Sequence, residues 1–177
     1  FDVAMAYETA RGLKLTGSYR YADANLETRE VDPGGEYMWG ERDYTKHFVE
    51  LVADYWFTRR DGLRALGSFS SLDFDDPRIL EVAFYDYDES NLGLGWLHQL
   101  NDTSVLDVQY QRLDFDSSAE TFTYRDSTSD ELTLGLRGQL TPVLTSEVRV
   151  GFRETDYDDP PPEITDSFSS WVARGYL

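Results

Sequence analysis

Cysteine is absent from all 177 residues of this chain, and methionine occurs only twice. Without cysteine there is no disulfide framework, no thiolate metal site and no covalent anchor for a haem. Long apolar runs are missing as well. No stretch approaches the roughly 18 residues that a membrane-crossing helix requires, so helical spans are excluded. Strands are not, because a spanning strand needs only about 9–11 residues, half of them polar. Positive charge is scarce: 16 Lys and Arg stand against 34 Asp and Glu, a net charge of −18. So acidic a chain has little with which to displace counterions from a phosphate backbone, which argues against nucleic acid as a partner. No secretion signal opens the sequence, so an exported protein would have to carry this sequence in mature or trimmed form.

What is abundant points to strands. Aromatic residues make up 15% of the chain, with 12 Tyr and 10 Phe, a composition that suits β-structure. One short phrase recurs: Phe69-Ser-Ser-Leu72-Asp73-Phe74-Asp75, Tyr110-Gln-Arg-Leu113-Asp114-Phe115-Asp116 and Phe152-Arg-Glu-Thr155-Asp156-Tyr157-Asp158. A worn copy, Tyr19-Arg-Tyr-Ala22-Asp23-Ala24-Asn25, lies upstream, and the four starting aromatics are spaced by 50, 41 and 42 residues. A repeat of this period that alternates polar and apolar residues is a strand pair used several times over.

Alternation with period two predicts nine strands, near 2–9, 13–27, 45–58, 63–75, 88–100, 104–116, 129–140, 145–157 and 167–176. Their connections alternate in length. Short turns are expected at Ala10-Arg11-Gly12, Arg59-Arg60-Asp61-Gly62, Asn101-Asp102-Thr103 and Thr141-Pro142-Val143-Leu144. Longer loops are expected near 28–44, 76–87, 117–128 and 158–166. Short turns at one end and long loops at the other is the layout of a transmembrane β-barrel. The acids follow that layout. Residues 21–43, 73–89, 114–131 and 154–166 hold 26 of the 34 acidic residues and 4 of the 16 basic ones. One rim is therefore strongly negative while the remainder of the chain is mildly positive.

Each predicted strand has an apolar and a polar side. Leu13, Leu15, Gly17, Tyr19 and Tyr21 alternate with Lys14, Thr16, Ser18 and Arg20; Leu106, Val108 and Tyr110 alternate with Asp107, Gln109 and Gln111. Periodicity does not say which side points outward, and a soluble lipocalin-like barrel would turn the apolar side in. Aromatics clustered toward strand ends, like headgroup-level belts, and charges facing one another across strands favour the apolar side out, against lipid. The expectation is a single all-β domain over residues 1–177, an antiparallel up-and-down transmembrane β-barrel. Nine strands is an odd number, and the first would begin at the long-loop rim. Both features make the chain read as part of a larger barrel.

The stretch from Leu134-Gly-Leu-Arg-Gly-Gln-Leu-Thr-Pro142 through Val150-Gly-Phe152-Arg-Glu-Thr-Asp-Tyr157-Asp-Asp-Pro160, followed by Asp166-Ser-Phe168-Ser-Ser-Trp171, resembles the β-barrel outer-membrane porins encoded with exopolysaccharide secretion systems. The acidic repeating hairpins also resemble the porin that sheathes multihaem cytochromes in extracellular electron conduits. The resemblance implies residence in the outer membrane of a Gram-negative envelope, and a passive conduit. Membrane lipid and lipopolysaccharide would surround it, with a polysaccharide or a periplasmic export component as further partners. It carries over no catalytic residue.

Candidate chemistry is confined to charged side chains. Asp73, Asp75, Asp114, Asp116, Asp156 and Asp158 place two carboxylates of each phrase on one face and a ring on the other. They would form either a belt for Ca²⁺ or Mg²⁺, hard ions that take oxygen ligands, or simply a solvated rim. Lys14, Arg20, Arg64, Asp107, Gln109, Glu147, Arg149 and Arg153 are the expected lumen lining. They would be either a basic ladder that tunes selectivity or cross-strand ion pairs that fill the interior. His47 and His98 each lack a second histidine or a cysteine at ligand spacing, and no Gly-x-Ser-x-Gly elbow is present. A barrel enzyme is therefore disfavoured, and no cofactor beyond those rim ions is expected. The functional expectation is a passive outer-membrane channel, with a structural sheath around a partner such as a multihaem cytochrome as the alternative.

Overall fold

In a computed structural model the chain is one nine-stranded antiparallel sheet, in which each strand pairs with its neighbours in sequence. The structure describes residues 1–10, 12–31, 37–74, 86–117, 126–141, 144–158 and 165–176. The strands are β1 (Asp2–Glu8), β2 (Leu13–Val31), β3 (Tyr37–Trp56), β4 (Asp61–Phe74), β5 (Tyr87–Asn101), β6 (Ser104–Ser117), β7 (Ser127–Thr141), β8 (Leu144–Tyr157) and β9 (Ser167–Tyr176). No helix occurs among the described residues. Within them, β1 pairs only with β2, and β9 only with β8.

Nine strands in meander order is the predicted arrangement. The largest departure is the β2–β3 hairpin, where a loop over 28–44 was expected. Pairing instead runs on to Val31 opposite Tyr37. The backbone ladder continues up to the segment that holds Pro33-Gly34-Gly35, the residues least suited to a strand. At the other end the turns are tight. Gly12 adopts φ of 80°, and a Cβ there would meet the Trp56 carbonyl oxygen at 3.0 Å. In the β3–β4 turn the Thr58 hydroxyl accepts from the backbone N–H of Arg60 and Asp61. Asp61 hydrogen-bonds His98 Nδ1 at 2.8 Å, which holds its carboxyl below the usual carboxylate range. Asn101-Asp102-Thr103 is a turn, with the Asn101 Oδ1 accepting from the Thr103 N–H and hydroxyl.

Burial is inverted relative to a water-soluble domain. Only Leu97 is a buried apolar side chain among the described residues, whereas Ser70, Asp107, Gln109, Ser129, Glu131, Thr133 and Arg149 are buried. Among the described residues 28 large apolar or aromatic side chains are exposed, most of them on the opposite face, Leu92 by 69% and Leu94 by 68%. Left in water, each such side chain would forgo roughly 1.5–3 kcal/mol, so the apolar face requires lipid. A single sheet buries only the face toward which it curls. The polar face is therefore concave and the apolar face convex.

Register shows that the strands tilt. Hydrogen-bonded partners traced sideways from Gly17, within the apolar band of β2, lead through Leu51, Gly67 and Leu92 to Arg112 on β6 and Asp130 on β7. A row that starts in the apolar band thus ends at the acidic rim, so the band steps along the ladder from strand to strand, as it must when strands cross a barrel wall obliquely. The band is bounded by outward rings, Tyr55 and Trp96 toward the turns and Tyr19, Phe69 and Phe152 toward the loops.

Candidate functional site: the polar inner wall

Alternation sends every second residue inward, and register decides which of these meet. Lys14, Arg20, Arg64, Asp107, Gln109, Glu147, Arg149 and Arg153 all fall on the concave face. The structure gathers four of them into one cluster. Arg149 on β8 donates from Nη1 to Gln109 Oε1 at 2.9 Å and to Thr133 Oγ1 at 3.1 Å. Its Nη2 donates to Glu147 Oε1 at 3.0 Å and lies 2.8 Å from Asp107 Oδ2. Asp107 forms no hydrogen bond through that oxygen, so its contact with Arg149 is a charge contact without good directional geometry. Space for this carboxylate comes from Gly135, the cross-strand partner of Asp107, because a Cβ there would run into it.

Two further groups flank the cluster. Arg64 binds Asp54 in a bidentate fork, with Nε–Oδ1 and Nη2–Oδ2 distances of 2.7 and 2.8 Å. Glu131, exposed by only 1%, accepts from Arg153 at 2.6 and 2.9 Å and from Arg174 at 2.7 and 2.8 Å. Four arginines thus stand against Asp54, Asp107, Glu131 and Glu147. Their charges are spent on one another, which is how ionised groups survive burial. Lys14 and Arg20 stand apart from this network and are exposed. The Arg20 guanidinium lies 4.7 Å from the Phe48 ring centroid and 3.9 Å from Asp2.

Sequence reasoning did not single out Asp54, Thr133 or Arg174, and counted Glu131 with the acidic rim. Alternation alone would have put all four on the polar face. Only the tilt shows that Glu131, next to the loop-side acids in sequence, sits beside Arg174.

The recurring phrase divides between faces. Asp73, Asp114, Asp116 and Asp156 point to the convex side, while Phe74, Phe115 and Tyr157 point inward. Asp158 follows the end of β8, and Asp75 lies outside the described residues. The phrases occupy β4, β6 and β8, two strand spacings apart, roughly 10 Å. Asp73 and Asp116, from successive phrases, line a depression of about 290 Å³ together with Asp86 and Asp88. No group of three or more acids and histidines close enough to hold a metal occurs among the described residues. His47 hydrogen-bonds the Tyr19 hydroxyl at 2.9 Å, and His98 stacks on Trp96.

No protein-family model matches the chain, and no curated protein matches it in sequence. Solved structures do match it. OmpT of Vibrio cholerae, expressed in the outer membrane, superposes with a TM-score of 0.55 at 12% identity, covering 88% of this chain and 45% of that one. The trimer form of the in-vitro folded protein gives 0.55 at 10% identity, covering 98% and 52%. An anion-selective porin from Comamonas acidovorans gives 0.49 at 15% identity, covering 97% and 44%. The chain has the fold of a bacterial outer-membrane β-barrel. It spans about half the length of the solved structures it matches. The convex face of this barrel wall is the apolar surface that such a fold presents to the outer membrane, and the arginine–carboxylate network lies on the opposite, inner side.

Proposed function

We propose that this chain is part of the wall of an outer-membrane channel, a passive conduit for polar solutes with exported exopolysaccharide among them. The observation that carries the reading is the inverted burial: a face of exposed leucines and valines backed by a face of paired, hydrogen-bonded charge. A wall that only filled itself would gain more from an apolar interior, since a buried ion pair is often no more stabilising than its hydrophobic replacement. A polar inner face suits a wet lumen. In this reading the wall continues in further strands at the free edges of β1 and β9. The resemblance of residues 134–171 to exopolysaccharide-linked porins favours a glycan as cargo. No covalent chemistry is assigned to the site, since the two histidines face outward and are engaged by Tyr19 and Asp61. Planar-bilayer recording tests the reading. The full-length protein, shown to be folded, should give stable ionic conductance, and a folded protein that conducts nothing rules the channel out.

A further inference from the structure

The inner wall carries a second kind of surface, loop-side of the ion-pair network. Cross-strand partners traced sideways from Phe48 on β3 are Ser70, Glu89, Phe115, Ser127 and Tyr157. This is one continuous row across six strands, with aromatic rings at β3, β6 and β8 and hydrogen-bonding side chains between them. Tyr87, one row nearer the loops, brings its ring centroid to 5.2 Å from that of Phe115. Arg20 covers one end of the row over Phe48, and Lys46 reaches Tyr87 across β4, with Nζ 3.3 Å from its hydroxyl. Phe48, Tyr87 and Phe115 are half-buried, and Tyr157 is exposed. A belt at lipid-headgroup level would place them on the convex side, and these face the concave one.

We infer that this row is a collar that binds uncharged glycan as it passes the loop-side mouth. The inference rests on the channel reading and names the cargo that the wall recognises. A simple anion gains nothing from ring faces, a cation there meets Arg20 and Lys46 already over Phe48 and Tyr87, and a greasy solute gains nothing from Glu89 and the serines between them. A sugar ring has both kinds of surface, a C–H face that packs on a flat aromatic and a rim of hydroxyls that hydrogen-bond. Rings about 10–14 Å apart, set by strand spacing, would engage sugars of one chain in turn rather than hold a single small molecule. Loop-side of the collar stand Asp43, Asp73, Asp88, Asp116, Asp126 and Asp158, a concentration of negative charge that repels anionic polymers and selects neutral glycan.

The probe is maltohexaose, a linear uncharged oligosaccharide, titrated calorimetrically into the full-length protein in detergent and added to planar bilayers that contain it. Wild type should bind saturably, and binding should interrupt any current. Phe48→Leu with Phe115→Leu keeps apolar volume but removes two flat faces, and should weaken binding about tenfold. Phe115→Trp should retain it. Glu89→Ala, which leaves the rings in place and removes both acceptor oxygens, should also weaken binding, and retention by Phe115→Trp shows that a loss in the leucine pair is not misfolding. No saturable binding by wild type overturns the collar, as does unchanged binding by the leucine pair; if the chain's own loops cover the rings, the first result follows. Conductance without binding overturns the collar and leaves the channel standing. Binding without conductance supports the collar and removes the channel.

Discussion

Arg174 on β9 reaches over β8 to grip Glu131 on β7, with both guanidinium nitrogens within 2.8 Å of the carboxylate. Arg153, on the strand between them, binds the same carboxylate. One buried acid therefore fastens the last two strands to the sheet at a level where β9 has no further neighbour among the described residues.

Glu131→Ala should lower stability by about 3 kcal/mol, at the lower end for a broken buried pair because both arginines keep some exposure to water. Glu131→Gln, which retains an acceptor, should cost less, and Arg174→Ala less than Glu131→Ala because Arg153 remains. The urea midpoint of the protein folded into liposomes measures this order. Equal midpoints for wild type and Glu131→Ala would show that the pairing does not hold the edge.

Gly135 and Asp107 should be coupled. Gly135→Ala pushes a methyl group against the Asp107 carboxylate and should destabilise by about 1–3 kcal/mol, the usual range for overpacking. In the Asp107→Ala background the same change should cost far less. A double-mutant cycle that returns additive effects contradicts the steric account.

The convex face makes a third prediction. Leu94→Arg, in the apolar band, should destabilise the membrane-folded protein by about 2–4 kcal/mol, the depth-dependent cost of arginine against lipid. Thr16→Arg, on the concave side of β2, should be nearly neutral. Equal tolerance of the two substitutions would show that the convex face does not meet lipid.

The turn pair Asp61–His98 sets a dependence on pH. The hydrogen bond lowers the Asp61 pKa in the folded state. Its contribution is therefore complete above the ordinary carboxylate value of about 3.9 and is lost as pH falls through the depressed folded value. Asp61→Asn should melt below wild type at neutral pH, and the gap should close in acid. A gap that stays constant to the lowest pH at which the protein folds would exclude this source of stability.

Strand existence and strand order were legible because they depend on local rules: period-two alternation and turn residues along the chain. Boundaries were less so. The β2–β3 hairpin runs to Val31 and Tyr37 because pairing can continue through polar residues that break the apolar pattern. The inner wall was half legible. Alternation grouped Arg64, Asp107, Gln109 and Arg149 on one side, yet it carries no information on lateral register. That register lets Arg149 meet Gln109 two strands away, makes Gly135 the space for Asp107, and brings Arg174 to Glu131.

The recurring aromatic phrase shows the same division. By itself the sequence determined that its carboxylates and its second ring lie on opposite faces, because neighbouring residues of a strand point opposite ways. It also determined that this happens on every second strand. Only the tertiary structure decided that the carboxylates of Asp73 and Asp114 face outward and the rings of Phe74 and Phe115 inward. That choice depends on the direction in which the sheet curls, a property of all nine strands together and of none of them alone.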